Sequence, residues 1–208
     1  MISINDFNGQ APHLCQKENM KIPTTDLLAN LKQRTLDNQK RAKFLRQLSE
    51  ERLNQRPGPE SWSALECIEH LNRYGDFYLP EITQRIAQSD HSPKAVFKSG
   101  WLGNYFAKSM LPKESLNTMK TFSSMDPMGS ELDASVLSTF LQQQVETLSL
   151  LERAKEVDLT KTKTAISITK LIKLRLGDTF RVLIYHNQRH VLQAERALGL
   201  AKVAKVHA

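Results

Sequence analysis

His186 and His190 stand four residues apart in the stretch RVLIYHNQRHVLQAERAL, residues 181–198, so on a helix both imidazoles lie on one side, one turn apart. They fall on a seam, Thr179, Leu183, His186, His190, Gln193 and Ala197, where a core calls for Leu or Val. Two imidazoles so placed can bind one metal ion. They can equally be a polar core or the wet edge of a bundle, and spacing alone favours that plainer reading. A helical metalloprotease of the His-Glu-x-x-His type is excluded, because Asn187 stands where the general base belongs and takes no proton.

A metal site in a helical bundle needs a ligand from a second helix. In SWSALECIEHLNRYGDFYLPEITQRIAQ, residues 61–88, His70 shares a face with Cys67, Tyr74 and Phe77. Glu66 and Glu69 are alternatives, although Glu69 points about 100° away on an α-helix. Three neutral imidazoles from two helices leave positions open for water or substrate, as a catalytic site does and a closed structural site does not. Glu66, one turn before His70, is the candidate acid/base, with helix capping as its alternative task. Cys67 is a candidate ligand or redox-sensitive neighbour, against the plainer reading of a buried thiol acting as a small hydrophobe. Arg189 and the run Lys170–Arg175 could hold an anionic co-substrate and are read first as surface charges.

These residues need elements to position them. Residues 1–23 read as a flexible N-terminal extension, 24–200 as one helical bundle and 201–208 as a C-terminal tail. A first long helix starts at Thr24 or Thr25 as N-cap and has no Pro or Gly until Pro57, so it is expected to reach Leu53. The sequence RPGPE, residues 56–60, then forces a turn. The second helix is capped by Ser61 or Ser63, with Ser63 and Glu66 at capping-box spacing, and Pro80 kinks or interrupts it. Residues 90–130 read as a long crossover with a short helix from Trp101 to Met110, whose Trp101, Tyr105 and Phe106 need burial. A third helix runs from Asp133 with Leu137, Phe140, Leu141, Val145, Leu148 and Leu151 inside; 158–169 is a loop; the fourth helix begins near Lys170 or Gly177 and ends at Gly199. No strand alternation is sustained. The expected fold is all-α, a four-helix bundle with a long crossover between helices 2 and 3.

Composition narrows the function classes. Hydrophobic content of 40% and charged content of 25% are those of an ordinary globular protein. Two cysteines, no leader-like segment and no apolar run of the ~20 residues that span a bilayer point to a reduced, cytoplasmic protein. The net charge of +7 collects in residues 159–176, which hold Lys161, Lys163, Lys170, Lys173 and Arg175 and no acid. That run lacks interleaved aromatics and matches no DNA-binding motif, so no nucleic-acid partner is expected.

WSALECIEHL after a Pro-Gly turn, paired with HNQRHVLQAERAL on the last helix, resembles the DinB-like superfamily of metalloenzymes over roughly residues 25–200. The resemblance implies up-down-down-up helix order and a divalent metal, zinc or nickel, held by His70, His186 and His190. It also implies one of two reactions: thiol-dependent S-transfer with a low-molecular-weight bacterial thiol, the leading expectation, or metal-dependent hydrolysis. A non-catalytic, stress-related helical binding module is the alternative outside enzymes. The expected partners are a small-molecule substrate and, at most, a second copy of the chain in a homodimer.

Overall fold

A computed structural model describes residues 20–112, 121–167 and 169–200; the expected extension and tail lie outside these, apart from residues 20–23. The chain is mostly helical, with two small strand pairs. Strand β1 (Lys21–Pro23) leads into α1 (Thr24–Leu45), followed by the short α2 (Glu50–Asn54) and by α3 (Ala64–Ala87). Strand β2 (Val96–Lys98) and α4 (Trp101–Met110) lie in the crossover before α5 (Ser135–Arg153). The hairpin β3 (Lys163–Ile166) and β4 (Thr169–Arg175) leads into α6 (Leu176–Ala197).

Thr24 is the first residue of α1 rather than its cap. Its N–H donates to the Ala95 carbonyl at 2.8 Å and its hydroxyl to the Lys94 carbonyl at 2.6 Å, so the crossover takes the place of a cap residue. The helix also stops short of Leu53. A turn follows Leu45, and Ser49 caps α2 by accepting from Arg52 N, a competing local hydrogen bond that a run of helix formers does not reveal. Ser63 caps α3 as expected: its hydroxyl accepts from Glu66 N at 3.2 Å, and Glu66 Oε2 accepts from Ser63 N at 2.8 Å. Pro80 sits inside α3 without interrupting it. Gly199 ends the last helix at φ +67°, the left-handed conformation that glycine adopts without cost.

The basic stretch is a hairpin rather than a loop, and the last helix starts at Leu176, beside the later of its two expected starts. Thr164 pairs with Leu174 and Ala165 with Lys173, which places Thr164 and Leu174 inside and Lys163 and Lys173 in solvent. Its outer backbone groups are satisfied from α3: Ala165 N donates to Glu81 Oε1 at 2.8 Å and Ser167 N to the Tyr78 hydroxyl at 3.3 Å. β1 and β2 pair antiparallel, Ile22 opposite Phe97.

Helices α1 and α3 each pack against both α5 and α6, and α4 lies on α6. Two apolar clusters result. One contains Leu27–Leu31, Tyr78–Ile86, Leu150–Leu151 and Leu176–Tyr185; the other contains Ala42–Leu45, Leu65–Leu71, Val136–Leu141 and Val191–Ala194. Between them each long helix turns polar: Thr35 and Asn38 on α1, Asn72 on α3, Gln143, Gln144 and Thr147 on α5, His186, Asn187 and His190 on α6, all buried. On α5 Leu137, Phe140, Leu141 and Leu151 are buried as expected, while Val145 is in solvent and Gln143 and Gln144 are inside. Asn38 has neither amide atom hydrogen-bonded, and Asn72 Oδ1 also lacks a partner.

Trp101 and Tyr105 are each 64% exposed, contrary to expectation. The face of α4 that meets α6 is Gly103 and Ala107, because a Cβ at Gly103 would stand 2.4 Å from Asp178 Oδ2. Asp178 binds the start of α4, accepting from Gly100 N at 2.8 Å and from Ser99 Oγ at 2.5 Å, and pairs with Arg181 at 2.9 Å. This buried network latches the crossover helix to α6. No helix among the described residues is long and apolar enough to cross a membrane.

Candidate metal centre

The capping box that starts α3 sets His70 two turns into the helix, and α6 presents His186 and His190 from the opposite side at the level of the polar layer. Ring centroids are 5.0 Å apart for His70 and His186, and 4.6 Å for the pairs His70–His190 and His186–His190. One nitrogen from each ring lies within 4.8 Å of the other two. The structure brings together the three histidines singled out in the sequence.

Their protonation follows from burial. Desolvation pulls the His70 pKa down to about 4, against the raising effect of the Met125 carbonyl. Desolvation also holds His186 and His190 well below the ordinary imidazole range, with the neighbouring imidazoles adding to it. All three are neutral at pH 7, the state in which imidazole is a ligand.

The tautomer of one ring is fixed by its partner. His70 Nδ1 is 2.7 Å from the Met125 carbonyl, which only accepts, so Nδ1 carries the proton and Nε2 offers its lone pair. That Nε2 is 3.2 Å from His186 Nε2, and His190 Nδ1 is buried with no hydrogen-bond partner. Converging neutral imidazoles, one with its outer nitrogen anchored on a carbonyl and one with an orphaned nitrogen, fit a bound metal ion.

Around the triad lies a cavity of about 700 Å³. Trp62, Tyr74, Tyr78, Phe106 and Phe122 form its aromatic walls. Trp62 packs 4.7 Å from His70, and Tyr74 stands edge-on to His186 at 4.7 Å, centroid to centroid. Trp62 is held in turn by its Nε1, which donates to Asp126 Oδ1 at 3.2 Å.

Residues 36–194 match the family model described as the DinB superfamily. The chain belongs to the DinB superfamily. It matches no curated protein and no solved structure at a significant level.

In this DinB-superfamily chain the other sequence candidates fall into different places. Glu66 does not line the cavity. Its Oε2 accepts from Ser63 N and Arg56 Nε, and its Oε1 from Gly129 N at 2.9 Å and from Arg56 Nη2. Burial raises its pKa, but these donors outweigh burial and hold the carboxyl below the usual range, and they make Glu66 a helix cap and an anchor for Arg56 and Gly129. Glu69 pairs with Arg73 on the same helix. Cys67 is fully buried in the second apolar cluster, with its thiol pKa pushed far up by that burial. Arg189 is not a surface charge: it is 7% exposed and lines the cavity, as does Phe106 of the crossover helix. Lys173 is in solvent, and Arg175 donates to the Lys98 carbonyl at 2.5 Å. Sequence reasoning missed the Met125 carbonyl, a backbone group with no side-chain signature, and the position of Trp62 against two imidazoles.

Proposed function

We propose that this protein is a divalent-metal-dependent transferase that joins a small-molecule thiol to an electrophile inside the aromatic cavity, with zinc or nickel at the three histidines. The reading rests on one observation: three neutral imidazoles converge on a cavity of about 700 Å³, a size that suits small-molecule ligands. The four long helices are read as a bundle in up-down-down-up order. In support, α1 and α6 pass from the first apolar cluster to the second along the chain, and α3 and α5 pass from the second to the first.

When bound, the metal supplies Lewis acidity that lowers the pKa of a thiol brought to it. The chain supplies the rest. The Met125 carbonyl holds His70 with Nε2 turned to the site, and the aromatic walls exclude water and offer flat apolar surface to the electrophile. Burial raises the Tyr74 pKa, so its hydroxyl keeps its proton and remains a donor. As the sulfur–carbon bond forms and the bond from that carbon to its leaving atom breaks, the thiol proton passes to water. The leaving atom takes the proton of Tyr74, which solvent restores. Hydrolysis is the second reading: both Glu66 oxygens are bound and Asp126 Oδ1 is held by Trp62 and by Met128 N, which leaves Glu60 and Asp126 Oδ2 as the carboxylate oxygens on the cavity lining for a proton acceptor.

Elemental analysis of the chain after dialysis against zinc or nickel should give one metal per chain. The loaded protein, given an epoxide or a chloro-nitroaromatic with a panel of bacterial thiols, should form the thioether only when thiol is present. Equal product without thiol, or in His186→Ala, overturns the transferase reading; absence of metal uptake overturns metal dependence.

A further inference from the structure

The turn that carries the Met125 carbonyl lies at the surface. Ser123–Met125 form a single 3-10 turn, in which Met125 N donates to the Phe122 carbonyl at 2.8 Å and Asp126 N to the Ser123 carbonyl at 3.2 Å. Phe122, Ser123 and Ser124 are exposed, so packing does little to fix this turn. Its own hydrogen bonds use the first two carbonyls, and those of Ser124, Met125 and Asp126 emerge from its end, as the last carbonyls of a helix do.

Two side chains of α3 meet them. His70 and Arg73 are three residues apart on that helix and share a face. His70 Nδ1 takes the middle carbonyl at 2.7 Å, and Arg73 Nη1 takes the Asp126 carbonyl at 2.8 Å, with the Ser124 carbonyl at 3.5 Å from the same nitrogen. The plane of the guanidinium is set from α3 itself, because Arg73 Nε donates to Glu69 Oε1 at 3.1 Å. An i, i+4 ion pair at the surface contributes little by itself, and it uses only one edge of the fork. The other edge brackets the one carbonyl that settles which nitrogen of His70 carries the proton.

That choice decides whether His70 is a ligand. With the proton on Nδ1, Nε2 offers a lone pair to the site; with the proton on Nε2, the ring turns an N–H towards His186 Nε2, 3.2 Å away, and has no lone pair there. A Met125 carbonyl displaced by about an ångström would leave Nδ1 out of hydrogen-bond range and free the ring to sample both forms.

We propose that Arg73 is a positioning residue of the site: by holding the carbonyls that flank Met125, it keeps the Met125 carbonyl on His70 Nδ1 and Nε2 open to a metal ion. The consequence for metal affinity rests on the reading of the triad as a metal centre, whereas the consequence for the tautomer does not.

The test is nitrogen-15 NMR of the metal-free full chain, labelled at histidine and held at pH 7, with the His70 signals assigned by their loss in His70→Gln. The wild type should hold His70 almost wholly with its proton on Nδ1. Arg73→Met keeps the aliphatic stem and removes every donor, and it should raise the share of the Nε2-protonated form at least about threefold. Arg73→Lys, a point donor without the fork, should give an intermediate share. Zinc affinity, measured by competition with a chelator, should fall about tenfold in Arg73→Met and less in Arg73→Lys. Melting temperatures check the fold, and Arg73→Gln, too short to bracket the turn, repeats the test if the methionine variant fails to fold. An unchanged tautomer in these variants overturns the proposal, and a lower melting temperature beside it identifies Arg73 as an ordinary surface ion pair. A shifted tautomer with unchanged zinc affinity also overturns it, because the proton on Nε2 would then not obstruct the metal. Failure of the wild type to take up zinc sinks the metal reading alone, since the tautomer is read without metal.

Discussion

Acidification of the metal-free protein should destabilise it well above the pH at which carboxylates titrate. An imidazole with an ordinary pKa near ~6.5 in the unfolded chain takes up a proton there first, whereas His70, at about 4 in the folded protein, stays neutral. The unfolded state therefore binds more protons over this window, and stability is full above the unfolded pKa and falls as pH drops towards the folded one. Between about pH 7 and pH 5 this single group removes roughly 2 kcal/mol of folding free energy. His186 and His190, held well below the ordinary value by burial, add losses of the same sign. Urea unfolding of the metal-free chain, followed by circular dichroism in steps across this range, measures the loss. His70→Leu keeps an apolar group of similar size in place and should reduce the loss by about 2 kcal/mol. Identical pH dependence of wild type and His70→Leu would show that His70 is not held neutral and would refute the electrostatic account of the triad.

Four further outcomes follow from the same geometry. His186→Ala or His190→Ala should lower bound zinc after dialysis from one per chain to below roughly a tenth with an unchanged far-ultraviolet helical signal, and retained stoichiometry would refute their role as ligands. Asn38→Leu should raise urea stability by roughly 1–2 kcal/mol, since it replaces a buried amide that has no partner on either atom; a loss would show that the amide is satisfied in solution. Gly103→Val should force α4 away from Asp178 and cost about 1–3 kcal/mol, read as a lower melting temperature, and an unchanged melting temperature would count against the close helix contact. Ser63→Ala removes half of the capping box and should cost about 1 kcal/mol in the same assay; a change within error would remove the box from the account of how α3 begins.

Much of the site was legible in the sequence because it obeys helical spacing. His186 and His190 share a face by arithmetic, Ser63 and Glu66 announce the start of α3, and Gly199 announces the end of α6. What escaped was decided by contacts across the fold. Residues 163–175 form a hairpin because Glu81 and Tyr78 of α3 satisfy its backbone, and nothing local to the hairpin reveals those partners. Trp101 and Tyr105 face solvent because α4 approaches α6 through Gly103 and Ala107, so small residues outranked large ones in setting the helix face. The cap made by Glu66 is legible in its spacing from Ser63, whereas the arrival of Arg56 and Gly129 at its carboxylate leaves no local mark.

The span between His70 and His186, 116 residues, also places the site in time. At roughly 5–20 residues per second, a ribosome takes on the order of ten seconds to extend the chain from α3 to α6. For that interval a nascent chain displays one imidazole of the triad and no chelate. Whatever the triad holds as a set is thus acquired after α6 has docked, and an occupied site certifies that α3 and α6 have met. A chain cut before α6 would compete for metal with nothing better than single histidines, which keeps abortive products from sequestering it.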